Sequence, residues 1–129
     1  MSHNRVLWVL QWVFGLYFIA IGVMHFVVPD GLPEMMSWMY ELSDTLHTVA
    51  GIAEILGGIG LIRPSLTRMQ PRLTVFAAIG LALVMLGAIA WHLNRGETSN
   101  VAVNVLNVLV MAYIAYGRSR LAPLEAKTA

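Results

Sequence analysis

Residues 6–28, VLWVLQWVFGLYFIAIGVMHFVV, decide the fold, because they contain no Asp, Glu, Lys or Arg over a length that crosses a bilayer as a helix. The run is longer than the roughly 7–15 apolar residues of a signal-peptide core, and no A-x-A-like cleavage site follows it. Three further apolar runs follow. Together they predict transmembrane helices at about 6–28, 46–62, 71–93 and 100–117.

The composition agrees with a membrane protein. Hydrophobic residues make up 58% of the chain and charged residues 12%, against roughly 25% charged in an average soluble domain. A short chain buries a small share of its surface, so lipid is the natural solvent for the apolar excess. Cysteine is absent, which excludes thiol–disulfide exchange and thiolate metal ligation. We therefore expect one all-α integral membrane domain over residues 1–129, surrounded by the lipid bilayer.

Short connections between the helices predict an antiparallel four-helix bundle. The basic residues indicate its orientation, since cytoplasmic loops retain Lys and Arg during insertion. Only Arg95 falls on one side, whereas the other side holds Arg5, Arg63, Arg68, Arg72, Arg118, Arg120 and Lys127. We expect both termini in the cytoplasm and a multi-pass protein of the inner (plasma) membrane. The net charge of +1 gives no reason to expect nucleic-acid binding.

The connection between the first two helices is the longest. Residues 33–44 mix Met and aromatic side chains such as Trp38 and Tyr40 with acidic residues, which predicts a short helix lying in the membrane interface. It is either a plain connector or a lid over a site. Ser43 is expected to cap helix two, and helix two is expected to stop at Arg63–Pro64.

Polar residues inside the predicted helices are the candidates for function, because the bilayer penalises them. Glu54 lies near the middle of helix two with no Lys or Arg within a turn, and a neutral carboxyl there could donate a hydrogen bond or carry a proton. His47 lies two turns earlier on the same face. On helix one, steps of four and three lead along a stripe of small residues from Gln11 to His25, which points His25 into the bundle.

Helices three and four add further polar groups. Thr74 begins a similar seam on helix three that ends at His92, and Asn side chains recur at steps of four and three on helix four. We assign Glu54 and His25 as candidate catalytic residues, and the candidate ligand-binding residues are His47, His92, Asn100, Asn104 and Asn107. Simpler explanations stay open, since Asn side chains join helices and His side chains mark membrane boundaries. The candidates share the predicted outer half, whereas the cytoplasmic half offers only Gln11 and Thr74.

Three histidines and a carboxylate are ligand types that suit zinc, copper or iron. No His-x-x-His or His-x-x-x-His pair occurs on one helix, so a metal site would need three helices to converge, and we expect no metal. Haem between two histidines is geometrically conceivable, but no motif singles it out.

Two segments resemble a known family. GVMHFVVP at 22–29, at the end of helix one, and GIAEILGGIGL at 51–61, in helix two, look like the DoxX and DoxX-like family of small bacterial four-helix membrane proteins. The similarity runs from about Gly15 to Gly117. It implies the four-helix fold, and by motif match it carries over His25 and Glu54 as candidate functional residues. The family name comes from a subunit associated with quinone-linked sulfur oxidation, and other members are linked to redox homeostasis or proposed as scaffolds.

Two functions follow as hypotheses. In the first, the chain is a redox-associated membrane subunit that binds a quinone or similar small molecule, with Glu54 and a histidine relaying protons. In the second, it is a non-catalytic scaffold or assembly factor for partner proteins, so the sequence leaves open whether it is an enzyme. Redox partner proteins and a homo-oligomer also stay open. A transporter is disfavoured, because four helices without a visible inverted repeat suit alternating access poorly.

Overall fold

The computed structural model describes residues 1–128 and consists of helices. The four long ones are α1 (His3–Phe26), α2 (Asp44–Thr67), α3 (Arg72–Asn94) and α4 (Thr98–Tyr116). A 3₁₀ helix, here the connecting helix (Glu34–Tyr40), joins α1 to α2, and a π-helical segment (Gly117–Leu121) continues α4. Each long helix is long and apolar enough to cross a membrane. These features confirm the predicted all-α membrane bundle and its short helix between helices one and two.

Consecutive helices pack side by side, α1 on α2, α2 on α3 and α3 on α4. The bundle has two chemically different ends. The histidine end holds His25, His47 and His92, and the arginine end holds the two chain termini and the α2–α3 turn. Apolar side chains cover much of the outside, including Val13, Leu83 and Leu109, each more than half exposed, which is the surface that lipid would cover.

Small residues let α1 and α2 touch along their backbones. A Cβ atom placed on Gly58 would lie 2.6 Å from the carbonyl oxygen of Gly15, and one on Gly22 would lie 3.0 Å from that of Gly51. Such close approach is typical of small-residue stripes in membrane helices. The buried face of α1 is the predicted stripe, from Gln11 through Gly15 and Gly22 to His25. This close contact, here the α1–α2 seam, therefore fixes the two helices that carry His25 and His47.

The predicted end of helix two was wrong. Helix α2 does not stop at Arg63–Pro64 but continues to Thr67, and it ends where Arg68 adopts a left-handed conformation with φ of 55°. Proline removes one backbone N–H, but neighbouring helices can satisfy the freed groups in a membrane bundle. The carbonyl that Pro64 leaves without its helical donor is that of Gly60, and the next carbonyl, that of Leu61, accepts the side-chain amide of Gln11 from α1, 2.5 Å away. The predicted cap is confirmed, since the Ser43 hydroxyl accepts from the backbone N–H of Leu46 at 3.2 Å.

Candidate functional site

A cavity of about 320 Å³ lies between the four helices toward the histidine end. Most of its wall is apolar, from residues such as Phe18, Ile21, Val84 and Met85. The side chains with N–H or O–H groups or a carboxyl in the wall belong to all four long helices and the connecting helix, and they are Tyr17, His25, Trp38, Glu54, Trp91, His92 and Asn104. An apolar cavity with a few convergent polar groups is the usual form of a small-molecule site.

The cavity reaches the bundle surface between α2 and α3. Leu46 and Val49 of α2 and Leu83 of α3 all line it, and each is more than two-fifths exposed. Nearer the arginine end the same two helices touch, because a Cβ on Gly57 would lie 2.5 Å from the side chain of Leu81. The helices therefore diverge toward the histidine end. The resulting opening faces the bilayer, from which a lipid-soluble molecule can enter.

Glu54 and His25 meet in the cavity wall. The carboxyl of Glu54 is buried, and its Oε2 lies 3.3 Å from Nε2 of His25. The two atoms are not aligned for a hydrogen bond, and neither has another hydrogen-bond partner among residues 1–128. An acid and a base that are both buried and unsatisfied carry a free-energy cost. They are the pair best placed to bind an oxygen atom of a ligand.

His47 lies behind this pair. Its Nδ1 is 2.8 Å from Nδ1 of His25, and its Nε2 is 2.8 Å from the carbonyl oxygen of Met39 in the connecting helix. The structure thus brings together three predicted site residues in the order Glu54, His25, His47. His47 does not line the cavity, so it contacts His25 but not the space where a ligand would bind.

The connecting helix covers the histidine end of the cavity. The Trp38 ring packs edge-on against His92 and tilted against His25, with ring centroids 5.3 and 5.9 Å away. Glu41, just after this helix, forms an ion pair with Arg95 in the α3–α4 turn. Arg95 in turn stacks over Trp91 at 4.5 Å. Of the two interpretations of this segment, the positions of these side chains favour the lid.

His92 contacts the cavity from α3 and is held by a carboxylate. Its Nδ1 lies 3.1 Å from Oε1 of Glu97, which also accepts from Nε of Arg95 at 2.8 Å. Burial alone would raise the pKa of Glu97, but the hydrogen bonds and charges of His92 and Arg95 outweigh it and lower the pKa below its ordinary value. Glu97 therefore orients His92, and His92 is not hydrogen-bonded to Glu54, His25 or His47.

The three predicted asparagines of α4 have different surroundings. Asn104 lines the cavity while its amide donates to the carbonyl of Asn100, 2.9 Å away. Asn107 is buried beside Met85, with 3.7 Å between its amide nitrogen and the sulfur, and 3.4 Å from the hydroxyl of Tyr17. Neither Asn100 nor Asn107 is part of the cavity wall. The interhelical role suits Asn107, and Asn104 is the member placed to touch a ligand.

Metal binding finds no support in this geometry. Within residues 1–128, no group of three or more His, Asp or Glu side chains is arranged to hold a metal ion. The three histidines do not all converge, since His92 approaches Glu97 while His25 and His47 face each other.

A second buried polar cluster lies at the arginine end, and the sequence analysis missed its central residue. Arg118 was counted as a loop charge, but it is only 5% exposed. Its Nε donates to the side-chain oxygen of Gln11 at 2.6 Å, and its Nη1 donates to that of Asn4 at 2.8 Å. Gln11 also donates to the hydroxyl of Ser65 at 3.0 Å, which contacts that of Thr74 at 2.8 Å. These contacts link α1, α2 and α3 to the π-helical segment that continues α4.

One sequence signal could have placed Arg118 in the bundle. Met111, Ile114 and Arg118 follow one another at steps of three and four residues, and the first two are fully buried. The interpretation that only Gln11 and Thr74 are polar in this half was therefore incomplete.

The sequence profile of the DoxX-like family matches residues 9–115, which is most of the chain. The chain belongs to the DoxX-like family. The match includes Glu54, His25 and His47, and it ends just before Arg118. The three neighbouring site residues therefore lie within the matched region, whereas Arg118, the centre of the arginine-end cluster, lies outside it. Neither a curated protein nor a solved structure matches this DoxX-like chain.

Proposed function

We propose that this DoxX-like protein binds a small, mostly apolar molecule with a carbonyl or hydroxyl oxygen, such as a quinone, and exchanges a proton with it. The observation that carries the proposal is the pair of unsatisfied atoms in the cavity wall, Nε2 of His25 and Oε2 of Glu54. A hydroxyl oxygen that contacts this pair would supply the hydrogen bond that each atom lacks, and a carbonyl oxygen would accept one from whichever of the two atoms carries the hydrogen. The pair can give or take a proton, which a purely structural contact does not require.

The shape of the site suits a ring with an apolar tail. Ligand pockets have volumes of roughly 300–1,000 Å³, so a cavity of about 320 Å³ accommodates a head group rather than a whole lipid. The opening between α2 and α3 leaves the tail in the bilayer. Trp38 and Trp91 both line the cavity and offer flat apolar contact for the ring.

The proposed role is that of a subunit in a redox assembly. Reduction of a quinone to a quinol takes up two electrons and two protons. In this proposal the electrons come from a partner protein, a membrane-associated dehydrogenase, and the His25–Glu54 pair supplies protons one at a time. A membrane scaffold for partner proteins is the alternative that the test below separates from it.

Ligand binding is tested by quenching of tryptophan fluorescence in purified protein reconstituted into lipid nanodiscs. A short-chain benzoquinone should quench in a saturable way, because Trp38 and Trp91 line the cavity. Glu54→Gln should weaken binding by about tenfold, equivalent to about 1.4 kcal/mol, because an amide cannot pair with His25 as a carboxyl does. The matched control is Glu34→Gln, which changes an exposed carboxylate of the connecting helix outside the cavity wall.

Equal affinity of the two variants, or quenching that never saturates, would contradict the proposal. If the wild type fails to bind the quinone but retains a partner protein through purification, the scaffold function is favoured.

A further inference from the structure

We infer that His47 and a surface recess beside it form a proton path between the outside of the protein at the histidine end and the buried carboxyl of Glu54. The inference deepens the proposed function by assigning the route and side of proton exchange. Its physiological purpose rests on that function, but its test requires no quinone.

The recess lies on the other side of His25 from the cavity. It is lined by His25 and His47 together with Tyr40, Asp44 and Thr48, among others. Tyr40, Asp44 and Thr48 are exposed, so the recess opens at the surface of the histidine end. His25 and Leu42 line both spaces, and of these two His25 is the one that can carry a proton between them. A proton that leaves the cavity through His25 therefore emerges at His47 and not toward the arginine end.

The hydrogen-bond directions follow from one fixed group, the carbonyl of Met39. A carbonyl oxygen only accepts, so Nε2 of His47 carries a hydrogen and donates to it across 2.8 Å. A neutral His47 then has a bare Nδ1. The 2.8 Å contact to His25 requires a hydrogen there, so Nδ1 of His25 is the donor. A neutral His25 is left with a bare Nε2 that faces the carboxyl of Glu54.

One proton can therefore leave Glu54 without either histidine retaining a charge, and the charge that remains is that of the Glu54 carboxylate. The O–H bond of Glu54 breaks and an N–H bond forms at Nε2 of His25, while His25 passes its Nδ1 proton to Nδ1 of His47. His47 then releases its Nε2 proton to the recess. Both imidazoles end neutral with their tautomers exchanged, and a rotation of the Glu54 carboxylate aligns it to accept from Nε2 of His25.

The carbonyl of Met39 makes the path reversible. After release, the bare Nε2 of His47 faces the carbonyl oxygen, which places two acceptors against each other. This arrangement is unfavourable, so uptake of a proton from the recess restores the first state. Asp44 at the recess mouth is an acceptor that can collect protons from solvent. The titratable groups that line the two spaces around His25 are Tyr17, Glu54 and His92 in the cavity and Tyr40, Asp44 and His47 in the recess.

The tautomers are tested first, in ligand-free protein with ¹⁵N-labelled histidine in nanodiscs. Nuclear magnetic resonance should show His47 with its hydrogen on Nε2 and His25 with its hydrogen on Nδ1. A His47 ring whose hydrogen is on Nδ1 in the resting protein would overturn the inference.

The route is tested by the exchange rate of the His25 ring proton with water. His47→Phe retains a ring but removes both nitrogens, and it should slow exchange by on the order of 10²-fold, as expected when a proton relay is lost. His47→Gln can still donate to the carbonyl of Met39 and so preserves the fold, yet it should be as slow because an amide does not exchange tautomers. The matched control is His3→Phe, which lies at the arginine end beside Tyr113, lines neither space and should leave the rate unchanged.

Unchanged exchange in both His47 variants, or an equal slowing in His3→Phe, would refute the path. Because no quinone is present, loss of quinone binding and loss of the proton path are distinguishable outcomes.

Discussion

Substitution of Gly58 by alanine should both destabilise the bundle and disturb the relay, because α1 and α2 meet at this residue. A Cβ atom at position 58 would lie 2.6 Å from the carbonyl oxygen of Gly15 and 3.0 Å from the backbone nitrogen of Ile19. Both obstacles are backbone atoms of α1, so a side-chain rotation cannot relieve the contact. The helices must separate.

The size of the effect follows from these distances. A carbon atom and a carbonyl oxygen approach one another to about 3.3 Å, so the seam must widen by about 0.7 Å at Gly58. Overpacking of this kind costs about 1–3 kcal/mol. The same seam continues to Gly22 and Gly51 and holds the 2.8 Å contact between His25 and His47. A widened seam should therefore lengthen that contact and slow proton exchange.

Unfolding in nanodiscs or mixed micelles by a denaturing detergent measures the stability, and the exchange rate of the His25 proton measures the relay. The matched control is Gly80→Ala on α3, where no atom of residues 1–128 lies within 4 Å of the added Cβ beyond the local backbone. Alanine is the better helix former by about 1 kcal/mol, so this control should be neutral or stabilising. If Gly58→Ala proves as stable as Gly80→Ala, the close-contact seam is not what joins α1 to α2.

Three further changes probe the rest of the bundle. Gln11→Leu leaves Nε of Arg118 and the hydroxyl of Ser65 without that partner and should cost about 1–3 kcal/mol or more in the same unfolding assay, whereas Gln11→Glu, which keeps an acceptor for Arg118 but loses the donor to the carbonyl of Leu61, should retain only part of the stability. The lowered pKa of Glu97 means that its stabilising contribution is complete above its ordinary pKa of 4.5 and is lost as the pH falls through the lower folded-state value; melting curves over this range should show the acid-side decline, and Glu97→Gln should abolish it. Ser43→Ala removes the cap of α2 and should cost about 1 kcal/mol; an unchanged melting temperature would show that the cap is dispensable.

Much of the fold could be predicted from the sequence, because the surrounding lipid determines which side of each helix faces into the bundle. The outside of each helix is apolar, so the small and polar residues mark the inside, and their steps of three and four give the buried face. Gln11, Gly22 and His25 on α1 and His47 and Glu54 on α2 are all buried as these steps predict. The lengths of the apolar runs supplied the number of helices, and the structure confirms it.

The features that the sequence analysis predicted wrongly or missed depend on contacts between groups far apart in the sequence. Pro64 was interpreted as a stop from its local chemistry, but its helix continues among side chains of α1. Arg118 was interpreted as a surface charge, although its partners Gln11 and Asn4 lie more than 100 residues earlier. Likewise, the ion pair of Glu41 with Arg95 joins two separate turns. Such pairings arise only when the helices are placed in three dimensions.

The two buried polar clusters accommodate an ionisable side chain inside the bundle in different ways. Arg118 keeps its charge, and its hydrogen bonds go to the neutral side-chain oxygens of Gln11 and Asn4 and to a backbone carbonyl close to the end of the chain. Glu54 lies deeper in its helix, where an isolated charge is costly. Transfer of its proton to His25 keeps the two side chains together neutral, and a charge remains on Glu54 only once His25 has passed a proton on to His47. A glutamine would satisfy the same packing but could not change state, so the presence of an acid here favours a role in proton transfer over one in helix packing.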